Sequence, residues 1–187
     1  MQAHYTEKKL VLRVQEYKDT EAFGKLYDLY IQKIYRFVFL KVSHKEEAED
    51  ITSEVFLKTW NYLTEKKDTR IDSFSGLIYR IARNTLVDFY RKKNSRVEYS
   101  LTMFDDIGDR GSFVRAVDTN QEIADVFTAL KQVKQEYQEI IFLKYIEELS
   151  IAEISEILGK KSINVRVTLH RGMNILKKIL SERENIY

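Results

Sequence analysis

Residues 149–176 read LSIAEISEILGKKSINVRVTLHRGMNIL, and this stretch decides the fold. Ser150 stands three residues before Glu153, the spacing of a capping box at a helix start. Ile151, Ile154, Ile157 and Leu158 recur at helical intervals and predict one buried face. Gly159 is the residue type that leaves a helix through a left-handed backbone. Beyond it, Val165, Leu169, Met173 and Leu176 form a second apolar stripe. Asn164, Arg166, His170 and Arg171 lie beside that stripe, on a face that need not be buried. Two helices meeting at a glycine turn, the second carrying polar and basic residues outward, make a helix-turn-helix pattern suited to a DNA major groove.

The rest of the chain agrees with a helical reading. Its 187 residues include six glycines, no proline and no cysteine. Few positions therefore break a helix, and where the apolar pattern is regular its period is 3.6 rather than 2. An all-α protein is expected, as two small helical domains joined by a flexible acidic linker. Without cysteine there are no disulfides or thiolate metal sites, and His4, His44 and His170 lack ligand spacing. No metal and no cofactor is expected. The first ten residues have no apolar core of a signal peptide, and no run reaches membrane-spanning length. A soluble, cytoplasmic protein without membrane insertion is expected.

Net charge is +2, but it is unevenly spread. Residues 1–95 carry 18 Lys and Arg against 14 Asp and Glu, residues 96–122 carry 3 against 6, and residues 123–187 carry 10 against 9. Two mildly basic or near-neutral modules thus flank an acidic connector, and any nucleic-acid contact must come from local basic patches.

Taken in order, residues 1–18 predict a short first helix. A second begins with Asp19 or Thr20 as cap and buries Phe23, Leu26, Tyr27, Tyr30, Ile34, Phe37 and Val38. A third opens at Ser43, with Glu46 at the capping-box position. Its apolar side is Ala48, Ile51, Val55, Phe56, Trp60 and Leu63. Another side is an acidic row of Glu46 or Glu47, Asp50 and Glu54, followed by Lys58. On spacing alone such a row is a solvated face. Residues 64–73 read as a loop, with Asp72 or Ser73 capping the next helix, FSGLIYRIARNTLVDFYRKK. There Arg80, Arg83, Asn84 and Arg91 fall together opposite the core stripe, beside Tyr79 and Tyr90. Cations interleaved with aromatic rings suit single-stranded nucleic acid. A basic helix C-terminus favoured by the macrodipole accounts for Arg91, Lys92 and Lys93, but not for mid-helix Arg80, Arg83 and Asn84. Periodicity fails over 95–121 and resumes at Ile123.

AEDITSEVFLKTW at 48–60, followed by FSGLIYRIARNTLVDFYRKK at 74–93, resembles conserved region two of bacterial RNA polymerase sigma factors. YQEIIFLKYIEELSIAEISEILG at 137–159, with the helix after it, resembles region four. Their order, their separation and the absence of other sigma regions resemble the extracytoplasmic-function (ECF) group of the sigma-70 family. Lys134, Leu77, Lys160, Val167 and Thr168 depart from the residues common there.

The resemblance implies a division into residues 1–95, a linker of 96–121, and residues 122–187. It implies that Glu47, Asp50, Glu54 and Phe56 bind core RNA polymerase at the clamp helices of its largest subunit, and that the flap region is a further contact. It implies that the loop at 64–72, with Tyr79, Arg80, Arg83, Asn84 and Arg91, meets the minus-ten promoter element. Lys160, Lys161, Ser162, Asn164, Arg166, Val167, His170 and Arg171 would meet the minus-thirty-five element. Arginine suits guanine or phosphate, asparagine an adenine edge, and valine a thymine methyl. An anti-sigma partner is also implied. The function implied is a sigma factor that recruits polymerase to promoters and assists melting, and not an enzyme. Two other readings stay open: a helix-turn-helix regulator acting without polymerase, and a helical adaptor with no DNA role. An enzyme is least favoured, because no phosphate loop or catalytic constellation can be placed.

Overall fold

The computed structural model describes residues 2–42, 44–66, 69–93, 126 and 128–184. The expected linker at 96–121, Ser43, and the helix start at Ile123 lie outside the described residues. Among those described, the regular structure is entirely α-helical, and the chain divides into two compact units.

The first unit contains α1 (Gln2–Tyr17), α2 (Thr20–Phe39), α3 (Lys45–Glu65) and α4 (Phe74–Lys93). α3 packs on each of the other three. Its core joins Val14 of α1, Leu26, Ile34 and Phe37 of α2, Val55 and Leu63 of α3, and Ile78 and Leu86 of α4, all fully buried. Aromatic rings fill the spaces between helices edge to face. Phe23 meets Trp60 at 5.2 Å between centroids, Tyr30 meets Phe74 at 5.1 Å, and Phe37 meets Tyr79 at 5.3 Å. Such pairs add to the burial of apolar area, which is the main source of stability here.

The helix starts follow from local chemistry. Asp19 caps α2, its carboxylate accepting from the Ala22 N–H at 2.9 Å. That bond, helped by the Arg13 guanidinium, holds the Asp19 carboxyl below its usual range. Ser73 caps α4, its Oγ accepting from the Gly76 N–H at 3.0 Å. For α3 the structure corrects the expected start: the N-cap residue is His44, whose side chain makes no capping hydrogen bond. α3 also runs to Glu65, so the connection to α4 starts later than the expected 64.

The second unit contains a helical stretch at 128–130 and then α5 (Gln135–Tyr145), α6 (Ile151–Leu158) and α7 (Ser162–Glu184). The capping box of α6 is complete. The Glu153 N–H donates to Ser150 Oγ at 3.2 Å, and the Ser150 N–H donates back to the Glu153 carboxylate at 2.8 Å. Gly159 leaves α6 with φ +62°, as the turn requires. α7 then opens at Ser162, where the Lys161 carbonyl accepts from the Asn164 and Val165 N–H groups. α7 crosses α5 at Gly172. A Cβ there would stand 2.8 Å from Tyr137 Cβ, so the Tyr137 side chain packs directly on the α7 backbone and leaves no room for a side chain at this position.

Candidate nucleic-acid interface

The seating of α6 and α7 determines which side chains face outward. Val165, Gly172 and Leu176 are buried, and Leu169 and Met173 are half-buried beside them. The opposite face carries Asn164, Arg166, Val167, His170 and Arg171, all exposed. His170 Nδ1 lies 3.4 Å from the Asn174 amide, one turn further along. Lys160 and Lys161 are exposed at the turn, with Lys160 Nζ 3.9 Å from the Glu136 carboxylate, and Ser162 is half-buried as the first helical residue. The eight residues singled out in the sequence are thus gathered along the turn and one helix face. The face holds two guanidinium groups, an amide, an imidazole and a methyl-bearing side chain, which together can address phosphates and base edges. Ile163, 59% exposed, lies one turn before Val167. The sequence reading passed over it, although its spacing of four from Val167 is the available signal.

α4 gives a more mixed result. Asn84 and Arg91 are exposed and Arg80 and Arg83 are half-buried, all within three turns of the helix. Tyr79 corrects the expectation. It is 1% exposed and its ring stands against Phe37 in the core. It cannot stack on a base without unpacking the bundle. The cause is its position: one residue past Ile78, it falls where α4 turns its flank to α2. Tyr90 likewise turns its hydroxyl inward and donates to the Lys41 carbonyl.

On α3 the acidic row is at the surface but not idle. Glu47 pairs with Lys93 of α4, Asp50 is exposed, and the Glu54 carboxylate is 2.8 Å from Lys58 Nζ. Lys58 also reaches Thr85 Oγ1 at 3.3 Å. Phe56 is the second correction. It is 4% exposed and its ring lies 4.6 Å from that of Tyr27, so it is a core residue on the α2-facing stripe. Leu57, 60% exposed, is the apolar side chain that accompanies Asp50 and Glu54, seven and three residues after them. Among the described residues no cluster of His, Cys, Asp or Glu is arranged to hold a metal, and no helix is long and apolar enough to cross a membrane.

Comparison with known proteins gives this surface its context. The family model for sigma-70 region 2 matches residues 26–96, and that for sigma-70 region 4 matches residues 123–176. The ECF RNA polymerase sigma factor SigW of Bacillus subtilis is 31% identical over 183 aligned positions, covering 91% of this chain and 96% of SigW. Among solved structures, CnrH in complex with the cytosolic domain of CnrY superposes with a TM-score of 0.67 at 19% identity, covering 95% of this chain and 98% of that one. The sigma factor RpoE in complex with the anti-sigma factor NepR from Bartonella quintana superposes with a TM-score of 0.60 at 18% identity, covering 85% and 96%. At these identities the two structures speak for the shared fold. The chain belongs to the ECF group of RNA polymerase sigma factors, which bind core polymerase, direct it to specific promoters and assist melting there.

Proposed function

We propose that the two units divide the sigma factor's work. Residues 1–95 bind core polymerase through the α3 surface and the minus-ten element through α4 and the connection before it. Residues 122–187 bind the minus-thirty-five element through α7, and residues 96–121 link the two. The observation that carries this assignment is the α7 face itself. Asn164, Arg166, Val167, His170 and Arg171 are exposed together on a helix whose other side is fixed by packing. Lys160 and Lys161 hold phosphates at the turn, and the five helix residues address base edges.

On α4, Asn84 reads a base edge through its paired donor and acceptor, and Arg80, Arg83 and Arg91 hold the backbone of the opened strand. On α3, Asp50 and Glu54 meet a basic surface of the polymerase, with Leu57 as the apolar contact and Glu47 at the margin beside Lys93. The flap region of the polymerase is a further contact. The protein acts by binding alone and is not an enzyme. It works in the cytoplasm, where the polymerase is. Two modules tethered to one polymerase raise each other's effective concentration, so neither need hold DNA tightly by itself. The near-neutral net charge of +2 favours weak binding of free protein to DNA. An anti-sigma factor restrains the protein until it is needed. Support for that partner comes from the structural neighbour RpoE, which was solved with one.

The test is reconstitution with purified core polymerase and promoter DNA. Specific initiation is expected only when all three are present. Tight, sequence-specific promoter binding by the protein alone would favour an ordinary helix-turn-helix regulator. Exchanging Asp50 and Glu54 for Lys is expected to weaken polymerase affinity by about tenfold or more, because like charges set opposite one another are strongly unfavourable in binding. Unchanged affinity would remove the acidic row from the interface.

A further inference from the structure

Gln15 lies near the end of α1, distant in sequence from every residue assigned a role above, and it is 3% exposed. Its side-chain amide nitrogen donates to the Lys66 carbonyl at 3.1 Å and to the Thr69 carbonyl at 3.0 Å. Those carbonyls stand just beyond the end of α3, where the Thr69 N–H also donates to the Lys66 carbonyl at 3.2 Å. Both amide protons are therefore used on one connection, 51 and 54 residues away along the chain.

A groove of about 410 Å³ runs between α1 and the segment Thr69–Asp72, lined by Val11 and Leu12 on one side and by Ile71 on the other. Apolar packing leaves a gap where a filled core would fix the backbone. Arg70 and Asp72 pair with each other at 2.8 Å and are largely exposed, so they tie the segment to itself rather than to the bundle. A buried amide that satisfies two carbonyls across such a gap sets their position, because leaving either carbonyl unpaired is unfavourable.

We propose that Gln15 is a positioning residue for minus-ten recognition: its two hydrogen bonds fix the connection between α3 and α4 in the shape that meets the opened strand. The inference rests on the reading that this connection contacts the minus-ten element. It places a determinant of promoter specificity on α1, which itself need touch no DNA.

The experiment uses full-length protein with core polymerase, and compares transcription from a cognate promoter with that from promoters altered at the minus-ten or the minus-thirty-five element. Gln15→Met keeps the volume and removes both donors. Gln15→Glu presents an acceptor to two carbonyls and is expected to act more severely. The expected result is a fall of roughly tenfold in minus-ten discrimination, since a displacement of about 1 Å at a positioned group can cost on the order of a hundredfold. Core polymerase affinity and minus-thirty-five discrimination are expected to stay within about twofold, because those contacts lie elsewhere. Arg70→Ala tests the underlying reading separately, and Val14→Ala, a core change on the same α1, controls for loss of stability. If Arg70→Ala reduces minus-ten discrimination and Gln15→Met does not, the positioning role is overturned. If neither does, the connection is not a minus-ten contact and the inference falls with that reading. If Val14→Ala produces the same selective loss at equal Tm, or if Gln15→Met abolishes folding, Gln15 is a stability residue and the proposal is overturned.

Discussion

α4 and α7 are of similar length, 20 and 23 residues, and both are assigned to DNA, yet the protein leaves them very different amounts of free surface. In α4 the six consecutive residues Phe74–Tyr79 are all buried. Polar positions emerge only from Arg80, and Arg80 and Arg83 stay half-buried. α7 buries a narrow stripe through Val165, Gly172 and Leu176 and leaves much of its circumference to solvent. A helix inside a four-helix bundle offers only part of a face, so its contacts must be completed by the connection beside it. A helix at the edge of a small unit can present a whole face unaided.

Two buried glutamines show the same contrast. Gln138 donates to the Val133 carbonyl at 2.6 Å and to the Lys131 carbonyl at 3.3 Å, shaping the turn immediately before its own helix. Gln15 makes the same pair of bonds to a connection more than fifty residues away. One unit shapes its turn locally, and the other needs its tertiary structure first.

Substitutions sharpen this contrast, and the largest effect is expected in the enclosed helix. Tyr79→Ala should cost about 3–5 kcal/mol in chemical denaturation, as for other buried aromatic residues, with the loss confined to the first unit. If stability held while minus-ten binding fell, Tyr79 would face DNA and the contrast would fail. Gly172→Ala should cost about 1–3 kcal/mol by forcing α7 away from Tyr137, outweighing the helix propensity that alanine gains. An increase in Tm would show that α5 and α7 can part without strain. Asn84→Ala and Arg166→Ala should each lose about 1–3 kcal/mol of discrimination, the first at the minus-ten and the second at the minus-thirty-five element, with Tm unchanged. Loss of polymerase binding together with DNA binding would instead mark a folding defect.

The smallest effect concerns Asp19. Its carboxyl is held below the usual aspartate range, chiefly by the Ala22 N–H, so its charge contributes stability above the ordinary aspartate pKa and loses it as pH falls through the lowered value. Asp19→Asn keeps a capping acceptor and removes the charge. The Tm gap between the two proteins should be present near neutral pH and close on acidification.

Much of this was legible in the sequence because it is local. The Ser150–Glu153 box, the Gly159 turn, the Asp19 cap and the apolar stripes each depend on residues within a few positions of one another. So does the exposed face of α7, which follows from its stripe. What the sequence could not show depends on which neighbour a helix meets. Tyr79 sits at the border of its stripe, and only the placement of α2 decides that it turns inward, whereas Phe56 already stood in the apolar side read from the sequence. Tyr27 sits in a stripe taken to be core, yet it is 41% exposed. Gly172 falls on the α7 stripe, seven residues after Val165 and four before Leu176, but the demand for glycine there is set by Tyr137 across the crossing. Gln15 gives no sign in sequence of a partner so far along the chain. His44 replaces Ser43 at the start of α3 without supplying a side-chain bond, which spacing alone does not reveal.

The crossing at Gly172 has a further consequence for how such a protein changes. At Gly172 the side chains of Tyr137 and Ile141 pack directly against the α7 backbone, so this part of the mount leaves no room for a further side chain. The exposed residues from Asn164 to Arg171 stand outside that contact and can be exchanged without repacking what lies beneath. On the proposed assignment of α7 to the minus-thirty-five element, promoter preference at this end of the molecule is a property of an interchangeable surface. Redesign can rewrite its five outward residues as a set, while Gly172 must stay as it is.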